Sequence, residues 1–104
     1  MAKVKVESYQ LRVNNSTDET RVYDIACTLN VNNNEVTNID SGNVNKDGVS
    51  VADFNRWDAT NLNVTYRGIT AEEQCAVNNA INEFIKNATT TAGTASVNYN
   101  LTEE

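Results

Sequence analysis

A single well-capped amphipathic helix, set among segments that alternate like β-strands, is the feature that most constrains the fold. Thr70-Ala71-Glu72-Glu73 is a capping box, in which the Thr70 hydroxyl can accept from the Glu73 backbone N–H and the Glu73 side chain can reach back to the Thr70 N–H. Apolar residues then recur at helical spacing, at Val77, Ala80, Ile81, Phe84, Ile85 and Ala88. This single apolar stripe predicts a helix over residues 71–88 that packs on an apolar surface.

Strand patterns account for most of the remaining chain. The clearest places Tyr23, Ile25, Cys27, Leu29 and Val31 on one side of a strand. Similar patterns predict strands over residues 3–13, 35–45, 49–54 and 61–67, and a last strand that carries Ala95, Val97, Tyr99 and Leu101. Asn32-Asn33-Asn34 and Lys46-Asp47-Gly48 are typical of the turns between strands, and Ala88 to Gly93 is expected to be a loop.

The order of these elements predicts one α+β domain over residues 1–104. We expect an antiparallel β-sheet, or a small sandwich, of about six strands with one amphipathic helix between the last two strands. The helix residues Val77, Ile81, Phe84 and Ile85 should then face Tyr23, Ile25, Leu29, Leu62, Val64 and Val97.

Charge and hydropathy argue against several kinds of partner. The net charge is −6 and the eight Lys and Arg residues are scattered, so we expect neither nucleic acid nor a membrane as partner. No apolar run is long enough to span a bilayer, and the N-terminal residues lack the apolar core of a signal peptide. Synthesis in a cytoplasm is therefore expected, with Cys27 and Cys75 as free thiols.

The residue types needed for common catalytic sites are missing or dispersed. The chain has no His, and its four Gly are isolated, which excludes a Ser-His or Cys-His pair and a glycine-rich phosphate loop. Asp40, Asp47, Asp53 and Asp58 lie in one region, where they are interpreted as solvating turns and edge strands. We expect no enzymatic activity, no catalytic residues and no cofactor.

Residues 43–54 resemble the calcium loop of dockerin modules. Asn43, Asn45 and Asp47 match the first, third and fifth ligand positions, Gly48 matches the glycine of the sharp turn, and Asp53 is the candidate closing acid. The acid comes one residue early, and strand patterns rather than helices flank the loop. The favoured interpretation is a β-hairpin with Asp-Gly in its turn, and calcium binding is the alternative.

Trp57 and the polar sides of the strands are candidate contact residues. Trp57 is interpreted as closing one end of the core, with a glycan or protein contact as the alternative. The uncharged polar residues Thr28, Asn30, Asn63, Thr65, Asn98 and Asn100 alternate with apolar residues. They indicate either a solvated sheet face or a surface that binds another protein at low desolvation cost.

In its whole-chain character the sequence resembles the small accessory proteins of tailed-bacteriophage particles. The shared features are Asn- and Thr-rich strands, one helix, an acidic balance and the lack of a catalytic set. The resemblance implies a capsid auxiliary or decoration protein that is made in the host bacterial cytoplasm and bridges shell subunits in the virion. It also implies multicopy assembly with partners such as the major capsid protein. The alternative is a small calcium- or glycan-binding β module that uses residues 43–54 or Trp57.

Overall fold

A computed structural model describes residues 8–33, 35–58 and 60–94. Within these residues, five strands form one sheet in chain order and a helix follows the fifth strand: β1 (Ser8–Asn14), β2 (Asp24–Asn32), β3 (Glu35–Lys46), β4 (Val49–Arg56), β5 (Leu62–Tyr66) and α1 (Ala71–Thr94). Each strand pairs antiparallel with the next. The α+β prediction is confirmed as a sheet with one helix on it. The predicted strand after the helix lies outside the described residues, as do residues 3–7 of the predicted first strand.

The helix begins as predicted and ends later. The Thr70 hydroxyl accepts from the Glu73 N–H at 3.2 Å, and the Glu73 carboxylate lies 3.8 Å from the Lys46 ammonium. The prediction of a loop from Ala88 to Gly93 is wrong, because α1 continues to Thr94. The hydroxyls of Thr89 and Thr90 donate to the Ile85 and Lys86 carbonyls, so these polar side chains are satisfied within the helix.

The core lies between α1 and the central strands β2 and β3. Its fully buried side chains come from all three elements: Cys27, Leu29, Val31, Ile39, Val44, Val77 and Ile81. Phe84 and Ile85 are also buried, as the helical stripe predicts. Leu62 and Val64, by contrast, are only half-buried, because β5 is an edge strand of the described sheet and the helix packs mainly on β2 and β3. Val97 lies outside the described residues.

A β-bulge at Ser41 and Gly42 interrupts β3, where the sequence predicts an irregular strand. Ala26 pairs with Asn43 and Thr28 pairs with Asp40, so β3 carries one extra residue opposite β2. A Cβ at Gly42 would lie 2.5 Å from the Phe54 carbonyl oxygen and 2.7 Å from the Phe54 ring. Glycine therefore allows β4 and the Phe54 side chain to approach β3 this closely.

The two cysteines occupy very different environments. Cys27 is fully buried on the helix-facing side of β2, whereas Cys75 is exposed on α1, and neither forms a disulfide. The prediction of free thiols is confirmed. Burial raises the pKa of the Cys27 thiol to about 11, although the charges of Arg12 and Arg56 oppose that shift.

We expect the native protein to react with one equivalent of a thiol reagent at neutral pH, and the unfolded protein with two. Only the thiolate is nucleophilic, and Cys27 is both buried and protonated. Absorbance-monitored titration with an aromatic disulfide measures the equivalents. The Cys75→Ser variant is the control and should show no reaction until it is unfolded. Equal reaction rates for both thiols in the native state would contradict the buried position of Cys27.

Candidate functional site

The side of the sheet opposite α1 is lined with polar side chains, and we call it the open face. Residues paired across an antiparallel ladder share one face, so the strand register defines its members. Among them are Gln10, Arg12, Thr28, Asn30, Asp40, Asn43, Asp53, Asn55, Asn63 and Thr65. In the described part of the chain no helix or strand covers this face. Thr28, Asn30, Asn63 and Thr65 thus share one face, whereas Asn98 and Asn100 lie outside the described residues.

Side-chain hydrogen bonds run across the open face from β1 to β3. The Gln10 amide donates to the Asn30 side-chain oxygen at 3.0 Å, and the Asn30 amide donates to the Asp40 carboxylate at 2.8 Å. These bonds join three neighbouring strands. Because the Asn30 amide both accepts and donates, it links the Gln10 amide to the Asp40 carboxylate and orders all three side chains on a surface that water reaches.

Arg12 ties β1 to the bulge on β3. Its guanidinium donates to the Thr28 hydroxyl at 3.2 Å and to the Ser41 carbonyl at 2.9 Å. Ser41 has a positive φ of 50°, which turns its carbonyl out of the ladder. Sequence reasoning missed Gln10 and Arg12, although their alternation with Tyr9, Leu11 and Val13 is a signal for this placement.

A shallow depression of about 360 Å³ lies on the open face between β3 and β5. Polar residues of three strands line it, among them Asn43, Asp53, Asn55 and Asn63. The Asp53 carboxylate accepts two hydrogen bonds from the Arg67 guanidinium. The bond from Arg67 Nε has a donor–acceptor distance of 2.9 Å. The only carboxylate in the lining is thus already paired with a cation.

The calcium candidates lie on a regular hairpin. Asn43 and Asn45 are on β3, Asp53 is the cross-strand partner of Asn43, and Asp47 is in the turn. Asp47 and Gly48 both have positive φ, at 52° and 80°, which is the backbone of a two-residue hairpin turn. The hairpin prediction is confirmed. An EF-hand-like loop wraps its ligands around one ion, whereas these strands space theirs along an extended backbone.

The Trp57 side chain is exposed to solvent, so the interpretation that it closes one end of the core is wrong. Its side chain is 72% exposed. The Trp57 N–H donates to the Asn61 carbonyl at 3.2 Å, which continues the β4–β5 register beyond Arg56 and Leu62. By strand alternation, Trp57 then follows Asn55 on the open face.

The turn after Trp57 is held by a hydrogen-bonded carboxylate. Asp58 accepts from the Thr60 backbone N–H at 2.8 Å and from the Asn61 side-chain amide at 2.8 Å. The bond from the Thr60 N–H, with those from the Asn61 and Thr60 side chains, lowers the pKa of the Asp58 carboxyl. Asp58 therefore stays ionised beside Trp57 and orders the turn that presents the indole.

Residues 8–33, 35–58 and 60–94 contain no group of three or more His, Cys, Asp or Glu side chains that could hold a metal ion. Among them, no helix is long and apolar enough to cross a membrane. Comparison of the chain with protein-family models, with curated proteins and with solved structures gives no match.

Proposed function

We propose that this protein is a non-enzymatic virion structural protein, a capsid auxiliary or decoration protein of a bacteriophage that bridges neighbouring shell subunits. The observation that supports the proposal is the open face, a polar surface on a sheet whose opposite side packs against α1 at β2 and β3. The major capsid protein is the proposed partner, and the virion is the proposed location after synthesis in the host bacterial cytoplasm.

The chemistry of the open face suits contact with another protein. Most of its residues are amides and hydroxyls, such as Asn30, Asn55, Asn63 and Thr65, which can exchange water for protein partners without the cost of desolvating an ion. Its charged members Arg12, Asp40 and Asp53 already have partners within the protein. The face therefore offers many hydrogen-bonding groups and little net charge of its own.

The size of the open face favours a multicopy assembly. With strands about 4.8 Å apart and residues about 3.3 Å apart, it measures roughly 20 Å by 20 Å, or about 400 Å². A standard protein interface buries about 800 Å² on each partner, so one such contact is weak. Repetition around a closed shell makes weak identical contacts strong, because each bound copy raises the effective concentration of the next contact.

Trp57 supplies the large aromatic group that such a contact needs. Exposed Trp residues are often the side chains whose truncation costs a protein interface most. Trp57 lies at the end of β4, where it continues the open face beyond Asn55. We therefore assign it as the anchor of the contact, with the polar groups of the face around it.

The proposed domain also includes the strand predicted over residues 95–101. Its alternation of Ala95, Val97, Tyr99 and Leu101 with polar residues is that of a strand buried on one side. With this strand the fold has six strands, and α1 lies between the last two.

Sedimentation of the native protein from lysate of its natural source tests the function. We expect it to travel with a particle of megadalton size and to resist mild salt. The Trp57→Ala and Asn63→Lys variants should leave the particle at lower salt than the wild type. Asn79→Lys is the matched control: it makes the same change at an exposed position of α1 and should stay bound.

A protein that stays at the top of the gradient as one small species would overturn the virion proposal. Glycan binding through Trp57 is then the next candidate, because its exposed indole lies beside a polar turn. Trp57 is the sole tryptophan, so its fluorescence reports directly on a glycan titration.

A further inference from the structure

β5 is an edge strand without the charge, proline or bulge that commonly keeps such strands from pairing. In the described part of the chain, β4 is its only strand neighbour. Its five residues, Leu62–Tyr66, include no charged residue and no proline. Its register with β4 is regular, whereas the register of β3 shifts against both of its neighbours. Because an uncharged, regular edge is a template for another strand, the outer side of β5 is suited to pairing.

Three residues of β5 direct their backbone N–H and C=O groups away from the sheet. The Trp57 N–H donates to the Asn61 carbonyl at 3.2 Å, and at the other end the Arg67 N–H donates to the Val51 carbonyl at 2.8 Å. Hydrogen-bonded pairs recur at every second residue of an antiparallel ladder. This pattern assigns the residues that bond to β4: Asn61, Asn63, Thr65 and Arg67. The residues whose backbone groups point outward are the alternate ones: Leu62, Val64 and Tyr66.

We propose that the outer edge of β5 pairs with β5 of a second copy of this chain, antiparallel and about a two-fold axis at Val64. Val64 then pairs with Val64 of the second copy, and Leu62 pairs with Tyr66 of the second copy. In this register the outward N–H and C=O groups of each strand bond to those of the other. The inference concerns the sheet edge rather than the open face, so it holds whether or not the protein belongs to a virion.

The side chains of β5 suit this register. On the helix-facing side, Leu62, Val64 and Tyr66 are half-buried, and each gains an apolar cross-strand neighbour from the second copy. On the open face, Asn63 lies opposite Thr65 of the second copy, and both are exposed. Because Leu62–Tyr66 carries no charge, the two-fold axis brings no like charges together within the strand.

Opposite charges meet at both ends of the paired strands. The same register places Arg67 of the second copy opposite Asn61, in a pair of the type whose side chains lie close together. The Asn61 amide donates to both oxygens of the exposed Asp58 carboxylate, at 2.9 and 2.8 Å. Arg67 is exposed and bonds to Asp53 of its own chain through Nε and Nη2, which leaves Nη1 for Asp58. This charge complementarity favours a second copy as the occupant of the edge.

The course of α1 argues against an occupant from the same chain. Phe84 and Ala88 lie beside Leu11 and Val13 of β1. β1 and β5 are the opposite edges of the described sheet. The C-terminal half of α1 therefore leads away from β5.

Pairing through β5 would also enlarge the open face. Strands continue at a spacing of about 4.8 Å across the junction, so two faces of about 400 Å² each become one of about 800 Å². A standard protein interface buries about that area on each partner. The pair, rather than the single chain, is then the unit that offers a contact surface of ordinary size.

Amide hydrogen exchange of the wild-type protein tests the pairing. A dimer forms by mass action, so exchange is measured at two protein concentrations about a hundredfold apart. We expect the amides of Leu62, Val64 and Tyr66 to exchange at least about threefold more slowly at the higher concentration. The amides of Asn63 and Thr65 bond to β4 within one copy, so they are the internal control and should be protected at both concentrations.

Two outcomes of the exchange experiment would overturn the proposal. Fast exchange of the Leu62, Val64 and Tyr66 amides at both concentrations would mean that the edge of β5 stays free. Slow exchange at both concentrations, in a protein that sediments with the mass of one chain, would mean that a segment of the same chain covers the edge.

Sedimentation of two variants under reducing conditions gives a second readout. The wild type should approach twice its chain mass of 11.5 kDa as its concentration rises. Val64→Lys places two ammonium groups at the axis and should raise the dissociation constant of the dimer at least about tenfold. Val49→Lys makes the same change at an exposed position of β4 and should leave that constant within about twofold.

Equal dissociation constants for the Val64→Lys and Val49→Lys variants would contradict an axis at Val64. Circular dichroism checks that each variant is folded. The exchange experiment uses the wild type and stays decisive if Val64→Lys does not fold.

Discussion

The Ile81→Ala variant should lose about 2–5 kcal/mol of its free energy of unfolding. Ile81 is fully buried on the apolar stripe of α1, and the helix lies over β2 and β3 at the centre of the core. Truncation to Ala removes three carbon atoms and leaves a cavity that strands fixed by ladder hydrogen bonds cannot close. Urea denaturation followed by far-ultraviolet circular dichroism measures the loss.

Asn79→Ala is the matched control for Ile81→Ala. Asn79 is exposed on the same helix, and this substitution should change the free energy of unfolding by no more than about 0.5 kcal/mol. A similarly small loss for Ile81→Ala would mean that α1 does not dock on the sheet through this stripe. That result would contradict the arrangement of the core.

The Gly42→Ala variant should be destabilised by about 1–3 kcal/mol. The added Cβ would meet the Phe54 carbonyl oxygen at 2.5 Å, and a backbone atom cannot rotate away as a flexible side chain can. Either β4 must move or the bulge at Ser41 must rearrange, and both changes disturb the β3–β4 pairing. Chemical denaturation measures the stability, and amide exchange on β4 locates the change.

Asn43→Ala controls for a general effect of substitution on β3. Asn43 neighbours Gly42 but lies on the open face, so its truncation should cost no more than about 0.5 kcal/mol. If Gly42→Ala were as stable as Asn43→Ala, the close approach of Phe54 to β3 would be wrong. Retained exchange protection on β4 in Gly42→Ala would point to the same conclusion.

The predictions that came from regular patterns agree with the structure where it describes them. The helical stripe of Val77, Ile81, Phe84 and Ile85 is buried, and the alternation around Ile25 and Leu29 gives the central strand. Such patterns are predictive because the side-chain periods of helix and strand follow from local backbone geometry alone. The hairpin turn at Asp47-Gly48 is local for the same reason, since both residues tolerate positive φ.

The predictions that failed depended on neighbours distant in sequence. Trp57 is exposed because the register beyond Arg56 places it on the face without a helix, and a single aromatic residue carries no signal of which face it joins. The end of α1 was placed too early because small residues and threonines are common in loops. In the helix, the Thr89 and Thr90 hydroxyls bond to backbone carbonyls instead.

The sequence predicted some residues of the open face but not how they are arranged together. Polar alternation marked Thr28, Asn30, Asn63 and Thr65, but did not show that their strands lie in one sheet. The hydrogen bonds of Arg12 to Thr28 and to the Ser41 carbonyl depend on the bulge in β3. No rule of local spacing predicts that an arginine on the edge strand reaches across β2.

The sequence by itself determined the type of each described element, the helix cap and the apolar side of each strand, since these follow from local propensity and periodicity. Only the tertiary structure decided that α1 lies over β2 and β3, that Leu62 and Val64 are left at the rim of the core, and that one polar face stays open beside Trp57. The physical reason is that strand order and helix placement are chosen by the total burial of apolar area. That quantity belongs to the whole domain and to no single segment.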